Sequence, residues 1–163
     1  MKRISRLVPL LAIGLALLPA TALASTTYHE SVFGVETGFP QSTTACPYPN
    51  SVSSFAGAAS GTLDGVFQIA VCHESLGTSA KILRGTFTVV GDDAIVHGAF
   101  AGGVVALVGA SATGSFCTQT FTVSGTLLPA GSFSGKLKHY GYGTATSCNV
   151  FFATISGSAT LIV

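Results

Sequence analysis

The run Cys117-Thr118-Gln119-Thr120-Phe121-Thr122-Val123-Ser124-Gly125-Thr126-Leu127 alternates with a period of two. Phe121, Val123 and Leu127 fall on one parity, and Thr118, Thr120, Thr122, Ser124 and Thr126 on the other. Successive side chains of an extended chain point to opposite faces, so this is a strand with one apolar and one hydroxylated face, half buried in an antiparallel sheet. Two neighbouring segments repeat the pattern. From Leu63 to Val71 the odd positions are Leu63, Gly65, Phe67, Ile69 and Val71; from Leu83 to Val89 they are Leu83, Gly85, Phe87 and Val89. The parity predicts that Phe67, Ile69, Phe87, Val89, Phe121 and Val123 face a common core.

The rest of the chain agrees with a fold made of strands and turns. It has 163 residues, only 8% of them charged, and a mean hydropathy of +0.62, which excludes a disordered polar chain. The 20 glycines, each costing about 1 kcal/mol in a helix interior relative to Ala, argue against long helices. Further strands are expected at Ser31–Glu36, Ala94–Phe100, Gly103–Gly109, Ser132–Tyr140 and Asn149–Val163, divided by turns such as Gly91-Asp92-Asp93 and Pro129-Ala130-Gly131. Short connections favour hairpins, hence an all-β fold: an antiparallel β-barrel of about eight strands, with a β-sandwich as the alternative. The segment Thr37–Ser60, with Pro40, Pro47 and Pro49, breaks the pattern and reads as a long loop tethered by Cys46.

The first 24 residues have the order of an export signal: Lys2, Arg3 and Arg6, an apolar stretch from Leu7 to Leu18, then the small-residue site Ala22-Leu23-Ala24. Residues 25–163 are then one domain, destined for the extracellular space or the cell envelope. Without the leader the basic residues are Lys81, Arg84, Lys136 and Lys138, against six acids. That balance argues against nucleic acid as a partner and equally against membrane-surface binding through a polybasic patch, and nothing after the leader predicts stable membrane insertion. Cys46, Cys72, Cys117 and Cys148 form an even set in an exported chain and read as two disulfides. Of the three possible connectivities we prefer the local one, Cys46 to Cys72 and Cys117 to Cys148.

The Gly-spaced stretches Gly85-Thr86-Phe87-Thr88-Val89-Val90-Gly91, Gly98-Ala99-Phe100-Ala101-Gly102-Gly103 and Gly131-Ser132-Phe133-Ser134-Gly135 resemble the secreted bacterial relatives of the allene oxide cyclase and dirigent barrels. The resemblance implies an eight-stranded antiparallel barrel, in some members with a hydrophobic ligand cavity. It carries no catalytic position over to this chain.

Motifs for chemistry are few. His29-Glu30 and His73-Glu74 would suggest a zinc hydrolase, but that motif needs a second His four residues on, where Phe33 and Gly77 stand. Gly131-Ser132-Phe133-Ser134-Gly135 sets its second Ser one position too late for a nucleophile elbow. Asp92-Asp93 lies in a turn, and Gly141-Tyr142-Gly143 lacks the setting of a dinucleotide fingerprint. No catalytic residue, metal site or cofactor is assigned. The four histidines are expected not to meet an acid, a Ser or a second His inside a cavity.

Lys136, Lys138, His139, Tyr140 and Tyr142 form the densest polar-aromatic cluster, able to hold an anion or stack on a sugar; the plainer reading is a solvated strand face. The Thr row of 118–126 would suit an ice-binding surface only if neighbouring strands carried matching rows. An outer-membrane barrel would need aromatic girdles, and the chain has no Trp and four Tyr.

Two functions follow. The leading one is a secreted, disulfide-bonded domain that binds an extracellular surface partner or serves as a structural envelope component. The alternative is a small-ligand-binding or cyclase-like barrel around an apolar ligand. A continuous apolar cavity of a few hundred Å³ separates them.

Overall fold

A computed structural model describes residues 25–38, 46, 48 and 51–163. The expected leader lies outside the described residues. The described chain forms eight strands: β1 (Thr27–Gly38), β2 (Val52–Gly61), β3 (Gly65–Ser75), β4 (Ser79–Gly91), β5 (Ile95–Thr113), β6 (Phe116–Leu128), β7 (Ala130–Gly143) and β8 (Cys148–Ile162). Each pairs antiparallel with the next, and β1 pairs with β8 to close a barrel. Thr26 and Val163 exchange backbone hydrogen bonds of 2.8 and 3.0 Å at the end of that seam. Every strand is paired on both sides, the end of β5 beyond Leu107 being held by β6 alone, and this closure settles the choice between barrel and sandwich.

The strand count agrees with expectation, but its partition does not. Val52–Gly61, all but its last residue within the expected loop, is a full strand paired on both sides. Its inward positions are Ser53, Phe55, Gly57 and Ala59; three small residues leave no apolar alternation to see. The two strands expected at 94–100 and 103–109 are one 19-residue strand, β5, whose register against β6 shifts between Phe100 and Gly102. Ala101-Gly102-Gly103 is thus a bulge inside a strand rather than a turn.

A second bulge corrects a core assignment. Cys72 pairs with Arg84 but His73 pairs with Ile82, so Leu83 is the extra residue. The parity of β4 flips there, and Ile82 at 3% exposure enters the core in place of Leu83, which is only half buried. Phe67, Ile69, Phe87, Val89 and Val123 face the common core as predicted. Phe121 has the predicted direction but is only partly buried, because it lines a cavity.

Interior packing explains several of the glycines. The ring of Phe67 covers Gly34, Phe87 covers Gly98, Phe100 covers Gly125, and Phe133 covers both Gly135 and Gly157; a Cβ at each of these would stand 2.2–2.9 Å from the ring. Each large inward side chain lies over a residue that has none, as a small barrel requires. In the β5–β6 turn, Gly114 adopts φ +60°, where other residues are strained.

The disulfides follow the preferred connectivity, Cys46–Cys72 and Cys117–Cys148. The first ties the β1–β2 connection to β3. The second joins β6 to β8 across the intervening β7 at Gly141, where a Cβ would stand 2.7 Å from Cys148 Sγ. Such pairs fit an oxidising compartment. Among the described residues, no helix is long and apolar enough to cross a membrane.

Candidate ligand cavity

The two ends of the barrel are filled differently. At one end Leu63, Val89, Val96, Leu127 and Leu161 pack closely, leaving a void of about 40 Å³. Glu30 is buried there at 6% exposure, with Oε1 accepting the Leu63 N–H at 2.7 Å and Oε2 unpartnered. Towards the other end the inward side chains no longer meet, and a cavity of about 410 Å³ opens.

The cavity is apolar at depth and polar near its mouth. Phe55, Ile69, Ile82, Phe100, Val123, Phe133 and Ile155 form its inner wall. Nearer the mouth stand Glu36 of β1, Ser53 of β2, His73 of β3, Gln119 of β6 and His139 of β7. Strand parity puts them there. Glu36 continues the inward series Glu30, Val32, Gly34; His73 continues Phe67, Ile69, Val71; and His139 continues Phe133, Gly135, Leu137.

Three of these groups form a chain of contacts. Ser53 Oγ lies 3.3 Å from His73 Nε2 and also hydrogen-bonds the Glu36 side chain. This overturns the expectation that no histidine meets a Ser inside a cavity. Burial holds the Glu36 carboxyl above the usual carboxylate range, and the Ser53 hydrogen bond partly offsets it. Burial pushes His73 below the ordinary imidazole value. Its Nδ1 is buried without a partner, so an imidazolium would carry an unsatisfied N–H there. Burial also lowers His139, and the proximity of His73 lowers it further. The His139 ring packs on Phe121 with centroids 4.9 Å apart.

This set differs from a nucleophilic triad. There the base stands between nucleophile and acid, and the acid orients and compensates it. Here Ser53 stands between acid and base, and the far nitrogen of His73 has no acid. The arrangement can hold a polar group and pass a proton.

The cluster singled out in the sequence is split by the wall. His139 points inward, whereas Lys136, Lys138 and Tyr142 are on the outer face with Tyr140, which is half buried. Lys138 Nζ lies 5.7 Å from the Tyr140 ring centroid. His29 and His97 also lie outside, with Nδ1 3.2 Å from Thr160 Oγ1 and 3.0 Å from Thr88 Oγ1 respectively. Thr118, Thr120 and Thr122 lie beside Tyr140, Lys138 and Lys136 of β7, so that strand continues no threonine row. Among the described residues, no group of three or more His, Cys, Asp or Glu is placed to hold a metal.

Sequence reasoning missed Glu36 and Ser53 and gave His73 no role. A signal was present: Glu36, His73 and His139 are ionisable residues on the apolar parity of their strands, at the same end of the barrel. No protein-family model, curated protein or solved structure matches the chain.

Proposed function

We propose that this is an exported barrel that binds a small amphipathic molecule, with the apolar body in the cavity and the polar head against Glu36, Ser53, His73 and His139. The observation that carries it is the 410 Å³ cavity, apolar at depth and lined by polar groups near its mouth. A purely structural barrel gains nothing from leaving such a volume unfilled, since each missing contact costs dispersion and transfer energy. The volume falls within the range of about 300–1,000 Å³ common for small-molecule sites. The two disulfides and the leader-like first 24 residues support export. The resemblance to allene oxide cyclase and dirigent barrels supports the same reading.

A second reading, acid–base turnover of the bound molecule, is favoured by one observation. Glu36, His73 and His139 are all displaced towards their neutral forms within one cavity, as groups that exchange protons with a substrate often are. Glu36 and His73, linked through Ser53, are the residues that would carry it.

Titration with N-phenyl-1-naphthylamine, which fluoresces in apolar surroundings, tests the binding reading. The protein should bind it saturably. Ile155→Trp and Val71→Phe, which fill the cavity from two strands, should weaken binding about ten-fold or more while circular dichroism stays that of the folded barrel. Equal binding by the parent and both folded variants would reject it. Mass spectrometry of an organic extract identifies a co-purified ligand, and its recovery unchanged after incubation would speak against turnover.

A further inference from the structure

We propose that the mouth of the barrel docks on an anionic lipid surface. Phe116, Tyr142 and Phe151 form a continuous row on β6, β7 and β8, with ring centroids 5.0 and 4.9 Å apart. Those spacings follow the separation of adjacent strands, about 4.8 Å. All three rings are about half exposed. They lie beside the Cys117–Cys148 bridge, at the end where the cavity opens, and Phe151 is also part of the cavity lining. Across the mouth, Leu76 in the β3–β4 turn is 55% exposed. Apolar side chains placed on a rim, around an opening, suit insertion into the boundary of a bilayer.

The charges are arranged for the same partner. Behind the aromatic row on the outer wall stand Tyr140, then Lys138 and Lys136. Tyr142 and Lys138 are four positions apart; at about 3.3 Å per residue and a strand tilt of about 40°, that is about 10 Å along the barrel axis. The Lys138 ammonium, 5.7 Å from the Tyr140 ring centroid, is then the one nearest the headgroup phosphates when the rings reach the acyl boundary, and Lys136, two positions further back, adds longer-range attraction. Near the rim, Glu74 and Lys81 stand opposite each other in the β3–β4 register. The opposite end also exposes Val66, Ile95 and Leu128, but its hairpin turns carry Asp64, Asp92 and Asp93, which an anionic surface repels. The molecule is therefore polarised, with its cavity at the lipid-compatible end.

The docking stands on this surface alone; that it delivers or collects the cavity's ligand rests on the binding reading above. Such a molecule partitions into lipid, and a mouth seated on the bilayer lets it pass without crossing water.

Flotation of the exported, disulfide-bonded protein with phosphatidylcholine vesicles, with and without phosphatidylglycerol, tests the proposal. Association is expected with the anionic vesicles and should fall as salt is raised. Phe116→Ser/Tyr142→Ser/Phe151→Ser should reduce it about ten-fold or more, and Lys136→Gln/Lys138→Gln roughly thirty-fold at low salt. All five side chains lie on the outer wall or the rim, and thermal melts confirm that both variants fold. No association, or equal association with both vesicle types, overturns docking. So does a dimer in sedimentation equilibrium that the triple Ser variant dissociates, because the row is then covered by a second copy. Ile155→Trp separates the two proposals: it should lose the naphthylamine probe yet still float. Failure of probe binding by the parent protein with flotation intact rejects the cavity reading and leaves docking standing.

Discussion

The ring of Phe87 on β4 fills the space left by Gly98 on β5, so closely that a Cβ on Gly98 would stand 2.2 Å from Phe87 Cζ and 2.8 Å from the Leu128 carbonyl oxygen. The ring cannot swing away into solvent, because Phe100 packs edge-on against it at 5.9 Å. Gly98→Ala therefore overpacks the core and should destabilise the barrel by about 1–3 kcal/mol. Gly109, on the same strand, has an unexceptional φ, and a Cβ added there would meet nothing within 4 Å. Gly109→Ala should be neutral or stabilising by up to about 1 kcal/mol, through the entropy of the unfolded chain. Urea denaturation of both variants checks the contrast, and equal effects would contradict the ring-over-glycine packing.

Phe67 and Phe121 share the inward parity but have different surroundings. Phe67 is 1% exposed and closely packed, so Phe67→Ala should cost about 3–5 kcal/mol. Phe121 already borders the cavity, and its removal should cost about 1–3 kcal/mol. Thr120→Ala, on the outer face, should cost about 0.5 kcal/mol or less. Chemical denaturation ranks the three. Phe121→Ala should also admit bulkier probes than the parent, which a probe series of increasing size would read.

How far the sequence could be read depended on whether strand faces differed in chemistry. β6 was readable because Phe121, Val123 and Leu127 alternate with hydroxylated residues. β2 was not, because its inward residues Ser53, Gly57 and Ala59 are small and resemble loop residues. Bulges were invisible: the extra Leu83 and the Ala101 region change parity by one residue without a local signature. The cavity was hidden for a different reason. Glu36, Ser53 and His73 lie on three strands, so no spacing in the chain links them; only the closing of the barrel brings them together. Extending the parity of β3 past Val71 would have pointed His73 inward, and the Cys72–His73 register shift falls on β4 rather than β3, so that extension holds.

The two disulfides enclose stretches of similar length, with sequence separations of 26 and 31. On loop-closure entropy alone, Cys46→Ala/Cys72→Ala and Cys117→Ala/Cys148→Ala should each cost about 3–4 kcal/mol. Their local consequences should differ. The second bridge crosses β7 beside the aromatic row, so its loss should raise hydrogen exchange in residues 141–150, whereas loss of the first should raise it around Ser51 and His73. Mass-resolved exchange on both variants tests this, and indistinguishable patterns would mean that neither bridge orders the mouth.

The groups in the cavity mouth make stability depend on pH in a direction fixed by their shifts. His73 and His139 are held below the ordinary value near 6.5, chiefly by burial. As pH falls through about 6.5 the unfolded chain takes up protons that the folded barrel refuses, so the unfolded state binds more and the barrel loses stability until the folded values are reached; the contribution is complete above that window. Glu36, held above 4.5 by burial, acts in the opposite sense. Below 4.5 both states are protonated and its contribution is intact. Between 4.5 and its folded value the barrel keeps a proton that the unfolded chain has lost, and the contribution declines as pH rises. Through the histidines, stability should therefore climb as pH rises towards about 7, with each adding well under the limit of about 1.4 kcal/mol per pH unit, because both rings are partly screened by solvent. Replacing His73 and His139 together with Gln should flatten the climb, while Glu36→Gln should steepen it by removing the opposing slope. Urea midpoints measured across this range decide the matter: a profile unchanged by the double histidine variant would show that the two imidazoles titrate as they do in the unfolded chain.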